Sequence, residues 1–176
     1  MNSTNFNLEK SIQILERTPA VLKALFYNLG EDWITVNEGP QTWSAYDILG
    51  HLIHGENTDW IPRAKIILGD GADKTFEPFD RFAQKELSKG KSMEQLLDEF
   101  AQLRESSVQI LKSWSLSQED LAKKGNHPEL GAVTLGQLLA TWTIHDLAHL
   151  NQVSRVMVKH YADSVGLWRQ YISLLK

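Results

Sequence analysis

Not one cysteine occurs among the 176 residues, which excludes a disulfide framework, a thiolate metal ligand and a cysteine nucleophile of the chain's own. Any thiol chemistry would need a thiol from outside. No stretch of about 18 apolar residues occurs either, so no membrane-spanning helix is expected, and the opening MNSTNFNLEK lacks a cationic region followed by an apolar run. Positive charge is not in excess: 18 Lys and Arg against 22 Asp and Glu give a net charge of −4, without the basic stripe that nucleic acid requires. Also missing are a glycine-rich phosphate loop and a serine in a nucleophile-elbow setting. These absences lead to the expectation of a soluble cytoplasmic protein, one domain spanning 1–176. A chain of this size buries enough surface to stand without a staple, so a bound ion would be functional rather than structural.

What is present is helical periodicity. From 7 to about 29, Leu8, Ile12, Leu15, Leu22, Leu25, Phe26 and Leu29 follow the i, i+3, i+4 rhythm, with Pro19 predicting a kink or a fresh start capped by Thr18. Ser44 and Asp47 make a capping-box-like start for a second helix running to about Leu68, kinked at Pro62. Ser92 with Gln95 opens a third, striped by Leu96, Leu97, Phe100, Leu103 and Leu111, and Thr134 with Gln137 opens a fourth that reaches about His160. The connections 69–91 and 115–133 are unusually long. In the first of them Phe76, Phe79 and Phe82 either pin the crossover to the helices or wall an apolar pocket. A last amphipathic piece, 165–175, presents Leu167, Trp168 and Tyr171 for docking on the bundle or on a second subunit. No strand pattern competes. The expectation is an all-α fold, a four-helix bundle with long crossover connections and a short C-terminal helix, whose topology need not be simple up-and-down.

His145 and His149 lie one turn apart on the fourth helix, so their rings can converge on one ion, or they sit as hydrogen-bonded core histidines. His51, in the second helix, is the candidate third ligand. His54 points about 60° away from it and could replace or supplement it, while His127, before a proline in a loop, is another alternative. His160 lies eleven residues beyond His149, about 16 Å along the helix, too far to share the ion. HDxxH invites comparison with the HExxH helix of zinc peptidases, but Asp is one methylene shorter than Glu, and Arg155 stands where the metzincin extension needs histidine. Asp146 is therefore read as a structural carboxylate, with acid/base work as the alternative. Trp142 is either core or pocket lining, and Arg63 with Asp59 reads as a surface i, i+4 pair. Glu56 is the one carboxylate near His51 and has no matching partner on the fourth helix, which favours one ion over two.

Trp43 and Ser44, His51 and Leu52, Asp59, Trp60 and Arg63, the run His127 to Gly131, and the run His145 to Leu150 together resemble the DinB-like (DNA-damage-inducible) superfamily over nearly the whole chain. The resemblance implies a four-helix bundle with a divalent metal held by three histidines, carried over to His51, His145 and His149. It also implies dimerisation, and members that are metal-dependent hydrolases or transferases of low-molecular-weight thiols. It does not imply DNA binding, in agreement with the acidic composition. Three neutral ligands suit Zn²⁺ or Ni²⁺ and leave positions open. The expected activity is activation of a low-molecular-weight thiol for transfer to an electrophilic small molecule. Hydrolysis by activated water is the alternative, and a non-catalytic metal-binding or interaction role is a further one.

Overall fold

The computed structural model describes residues 6–176. Its long elements begin where the sequence supplies caps. Ser44, Ser92 and Thr134 each accept from the backbone N–H three residues on, and Asp47, Gln95 and Gln137 reciprocate, opening α4 (Ala45–Thr58), α7 (Met93–Ser113) and α9 (Leu135–Met157). Prolines divide the first two arms. The N-terminal arm splits into α1 (Leu8–Leu15) and α2 (Thr18–Phe26), with Pro19 in the first turn of α2. The second arm breaks at Asp59 into α4 and α5 (Trp60–Leu68), because Pro62 has no N–H to give the carbonyl of Thr58.

Short helices occupy the connections: α3 (Glu31–Thr35), α6 (Ala83–Leu87) and α8 (Gln118–Ala122). Two strands appear where none was expected. β1 (Lys124–His127) and β2 (Gly131–Thr134) pair antiparallel, and the 70–82 strap joins them through Phe76 N–H to Asn126 O at 3.0 Å and Asn126 N–H to Lys74 O at 2.9 Å. At four residues each, they are too short for an alternating pattern to register in the sequence. Gly125 is required there, since a Cβ would stand 2.6 Å from the Phe76 ring. The C-terminal piece is helical, but as 3₁₀ turns over Gly166–Tyr171 and Ser173–Leu175. With three residues per turn its i, i+4 stripe does not form, so Leu175 alone is buried while Leu167, Trp168 and Tyr171 face outward.

The core lies in two apolar layers. Leu15, Trp60, Ile67, Leu111, Leu135 and Trp142 belong to one; Phe26, Ile48, Leu49, Leu96, Phe100 and Val156 belong to the other. Following each arm through these layers gives its direction. The N-terminal arm and α9 run from the first layer to the second, whereas the α4–α5 arm and α7 both run from the second to the first. Since α4–α5 and α7 are parallel, the segment between them must return the length of the bundle, which accounts for the long 69–92 connection. Between the layers each arm carries buried polar groups: Thr18; His51 and Glu56; Arg104 and Ser107; Thr143 and Asp146.

Candidate metal centre

The site occupies one side of this polar layer. His51 projects from α4, and His145 and His149 project from one face of α9. Nε2 of His145 lies 3.1 Å from Nε2 of His51 and 3.1 Å from Nε2 of His149, and one ligand atom from each of the three lies within 4.8 Å of the others. At metal–nitrogen bonds of about 2.0–2.1 Å, nitrogens 3.1 Å apart subtend about 100° at a shared ion.

Protons cannot settle this arrangement as well as a cation can. His149 gives its Nδ1 proton to Gln152 Oε1 at 2.8 Å, so its Nε2 presents a lone pair. If His145 Nε2 carries a proton, one N–H faces both neighbours; if it does not, two lone pairs meet at 3.1 Å. Burial first, then the neighbouring histidines, hold His51 down to about 3 and His145 down to about 2, and burial also lowers His149 against the pull of Gln152. All three rings are thus neutral at physiological pH, as metal ligation requires. The donor set fits a divalent ion.

A layer of charge fixes the two ligand helices behind the histidines. Arg104 of α7 donates from Nε and Nη2 to Glu56 Oε1 at 3.0 and 2.8 Å, from Nη2 to Asp146 Oδ1 at 2.9 Å, and from Nη1 to Asp146 Oδ2. Its remaining reach goes to Leu15 O at 3.0 Å, and the indole of Trp142 donates to Glu56 at 3.1 Å. Arg104 therefore ties α4 to α9. Both oxygens of Asp146 are engaged by Arg104, and its side chain is wholly buried outside the lining of the open cavity. Trp142, also wholly buried, is core.

On the open side the histidines face a cavity of about 460 Å³ walled by Trp43, Trp60, Phe76 and Phe79. Two of the three strap phenylalanines thus wall the pocket, and Phe82 is exposed. Trp43 lies 4.7 Å from the His51 ring and Trp60 5.0 Å from that of His145. His54 stays outside the cluster, its ring 4.7 Å from Phe79, where it supports the strap. His127 lines the cavity but uses Nδ1 to accept from the N–H groups of Glu129 and Leu130, ordering the hairpin turn. His160 stands apart, its ring tilted against Trp33 at 4.4 Å, and Arg155 is paired with Glu38 at 2.7 Å. The Asp59 and Arg63 pair, expected at the surface, instead lines the cavity with side chains 14% and 8% exposed, because the break at Asp59 turns it inward. Gln152 was not singled out from the sequence, although its place three residues after His149 is a readable signal. A second groove of about 560 Å³, between α2 and α7, holds none of the histidines.

The DinB superfamily family model matches residues 14–153, an interval that contains all three histidines. Among solved structures, the chain is similar to YfiT from Bacillus subtilis, described as "a probable metal-dependent hydrolase with an unusual four-helix bundle topology". The two share 22% identity at a TM-score of 0.66, over 89% of this chain and 91% of that one. No curated protein matches the sequence. No helix among the described residues is long and apolar enough to cross a membrane.

Proposed function

This chain belongs to the DinB superfamily, and from that membership together with its histidine cluster we propose that it is a mononuclear metal-dependent hydrolase of small molecules, with His51, His145 and His149 as ligands to Zn²⁺ or Ni²⁺. The observation that carries the reading is three neutral imidazoles converging in the wall of an open cavity rather than in a sealed core. A divalent ion held there would keep positions open for water and substrate, lowering the pKa of the one and polarising the other. The description of YfiT supports hydrolysis over thiol transfer, and no side chain in the cavity speaks for a thiol.

The chain's own residues supply the rest. Gln152 holds His149 in the tautomer whose Nε2 is free, and Arg104 fixes the α9 backbone beside α4 through Asp146 and Glu56. Trp43, Trp60 and Phe79 offer apolar surface beside the histidines to a small substrate. The test is a screen of the zinc- and nickel-loaded protein against esters and amides, with and without an added low-molecular-weight thiol. Hydrolysis that needs the metal and not the thiol is expected. Conjugation of the thiol without hydrolysis would overturn the reading in favour of S-transfer.

A further inference from the structure

Asp59 occupies the break between α4 and α5 and holds in the cavity wall a carboxylate whose one close partner is the Arg63 guanidinium. It stands at the N-cap position of α5 yet makes no capping hydrogen bond. Arg63 Nη2 approaches Oδ1 to 2.8 Å, but not in hydrogen-bonding geometry, and Oδ1 is buried with no hydrogen-bond partner among the described residues. Arg63 Nη2 also donates to the carbonyl of Glu77 at 3.2 Å, and its guanidinium lies over the Phe76 ring. A largely buried carboxylate held by one ion pair, with neither cap nor hydrogen bond on Oδ1, is costly to keep, and such cost collects at functional sites.

Its position fits a reaction. The next residue, Trp60, packs its ring 5.0 Å from His145, and Asp59 shares with the three histidines a cavity of about 460 Å³, about 10 Å across. Three histidine ligands bring no carboxylate of their own, Asp146 is engaged by Arg104, and the other acid lining the cavity, Glu129, is exposed on the hairpin turn. We propose that Asp59 is the catalytic acid of this pocket, donating a proton to the leaving atom of the substrate, a role that rests on the hydrolase reading above.

The step balances. The water oxygen bonds to the acyl carbon, the bond from that carbon to the leaving oxygen or nitrogen breaks, the Asp59 proton passes to the leaving atom, and the proton shed by the water returns to Asp59. Burial pushes the Asp59 carboxyl up to about 6 against the pull of Arg63, which keeps a protonated fraction near neutral pH. The other charged or titratable groups facing this cavity are Arg63 on α5, Arg81 in the strap, His127 and Glu129 on the hairpin, and the three histidines.

The experiment compares the zinc-loaded wild type with Asp59→Asn and Asp59→Glu on two esters of one acid, a p-nitrophenyl ester and an alkyl ester. A ¹³C-carboxyl NMR titration of Asp59 runs alongside. An acid is needed only where the leaving group is poor, so Asp59→Asn slows the alkyl ester by about 100-fold and the p-nitrophenyl ester little, and Asp59→Glu recovers part of the loss. The Asp59 carboxyl is expected to titrate near 6 in that experiment. Equal slowing of both esters, no slowing of either, or titration at the ordinary value of about 4 overturns the proposal. A wild type that turns over neither ester overturns the hydrolase reading and the acid role with it, a failure told apart from that of Asp59 because the titration needs no substrate.

Discussion

Gln152 accepts the Nδ1 proton of His149, and that one hydrogen bond leaves Nε2 as the ring nitrogen with a lone pair to offer an ion. Among the described residues His51 and His145 have no such partner, their Nδ1 atoms being buried and unbonded, so Gln152 carries the orientation of the cluster disproportionately. Gln152→Ala is expected to weaken zinc affinity about 10- to 100-fold while the protein stays folded, as read by competition with a chelator. The histidines also set an acid limit on the metal-free fold. His51 and His145 bind fewer protons folded than unfolded, so their contribution to stability is complete above about 6.5 and is lost as pH falls toward about 3. Denaturant midpoints of metal-free protein should decline through that window, and the decline should be shallower in His51→Gln. At this scale the sequence was legible where one helix carried the signal: HDLAH shows its i, i+4 pair without a structure. Asp59 was not legible, because spacing alone makes it a surface partner of Arg63, and only the helix break at Asp59, which Pro62 causes, turns the pair inward.

Elements meet here through charge as much as through apolar contact. Arg104 on α7, Glu56 on α4 and Asp146 on α9 form a sealed group of one cation and two carboxylates that spans the bundle between its two apolar layers. Breaking it leaves two buried carboxylates uncompensated, so Arg104→Met should destabilise the fold by about 3–5 kcal/mol in a denaturant titration. If the network positions the histidines, the same variant should lower metal affinity as well. Helix starts were readable at the capping boxes of Ser44, Ser92 and Thr134, since those signals are local and chemically specific. The Arg104 network was not, because its members lie 42 and 48 residues apart and a lone arginine in a helical stripe looks like a solvated one. The hairpin escaped for a related reason: its strands are held by the strap and by Gly125 under Phe76, not by an alternation of their own.

For the whole molecule, the directions of the four arms explain why a distant histidine can join the pair. With α4–α5 and α7 parallel and the N-terminal arm and α9 opposed to them, the middle of α4 faces the middle of α9, and the polar layer of each falls at the same height. The four amphipathic stripes predicted the bundle, and the long connection at 69–91 signalled the crossover, but no pattern in the chain says which arms are neighbours. A bound ion would tie α4 to α9 across that interface, so the metal is the point on which the account rests. The most direct measurement is metal content by mass spectrometry, after loading with zinc or nickel and exhaustive dialysis, on the wild type and on His51→Ala, His145→Ala and His149→Ala. The account predicts about one ion per chain in the wild type and near-complete loss in each of the three variants. A wild type that retains no metal, or variants that retain it undiminished, would contradict it.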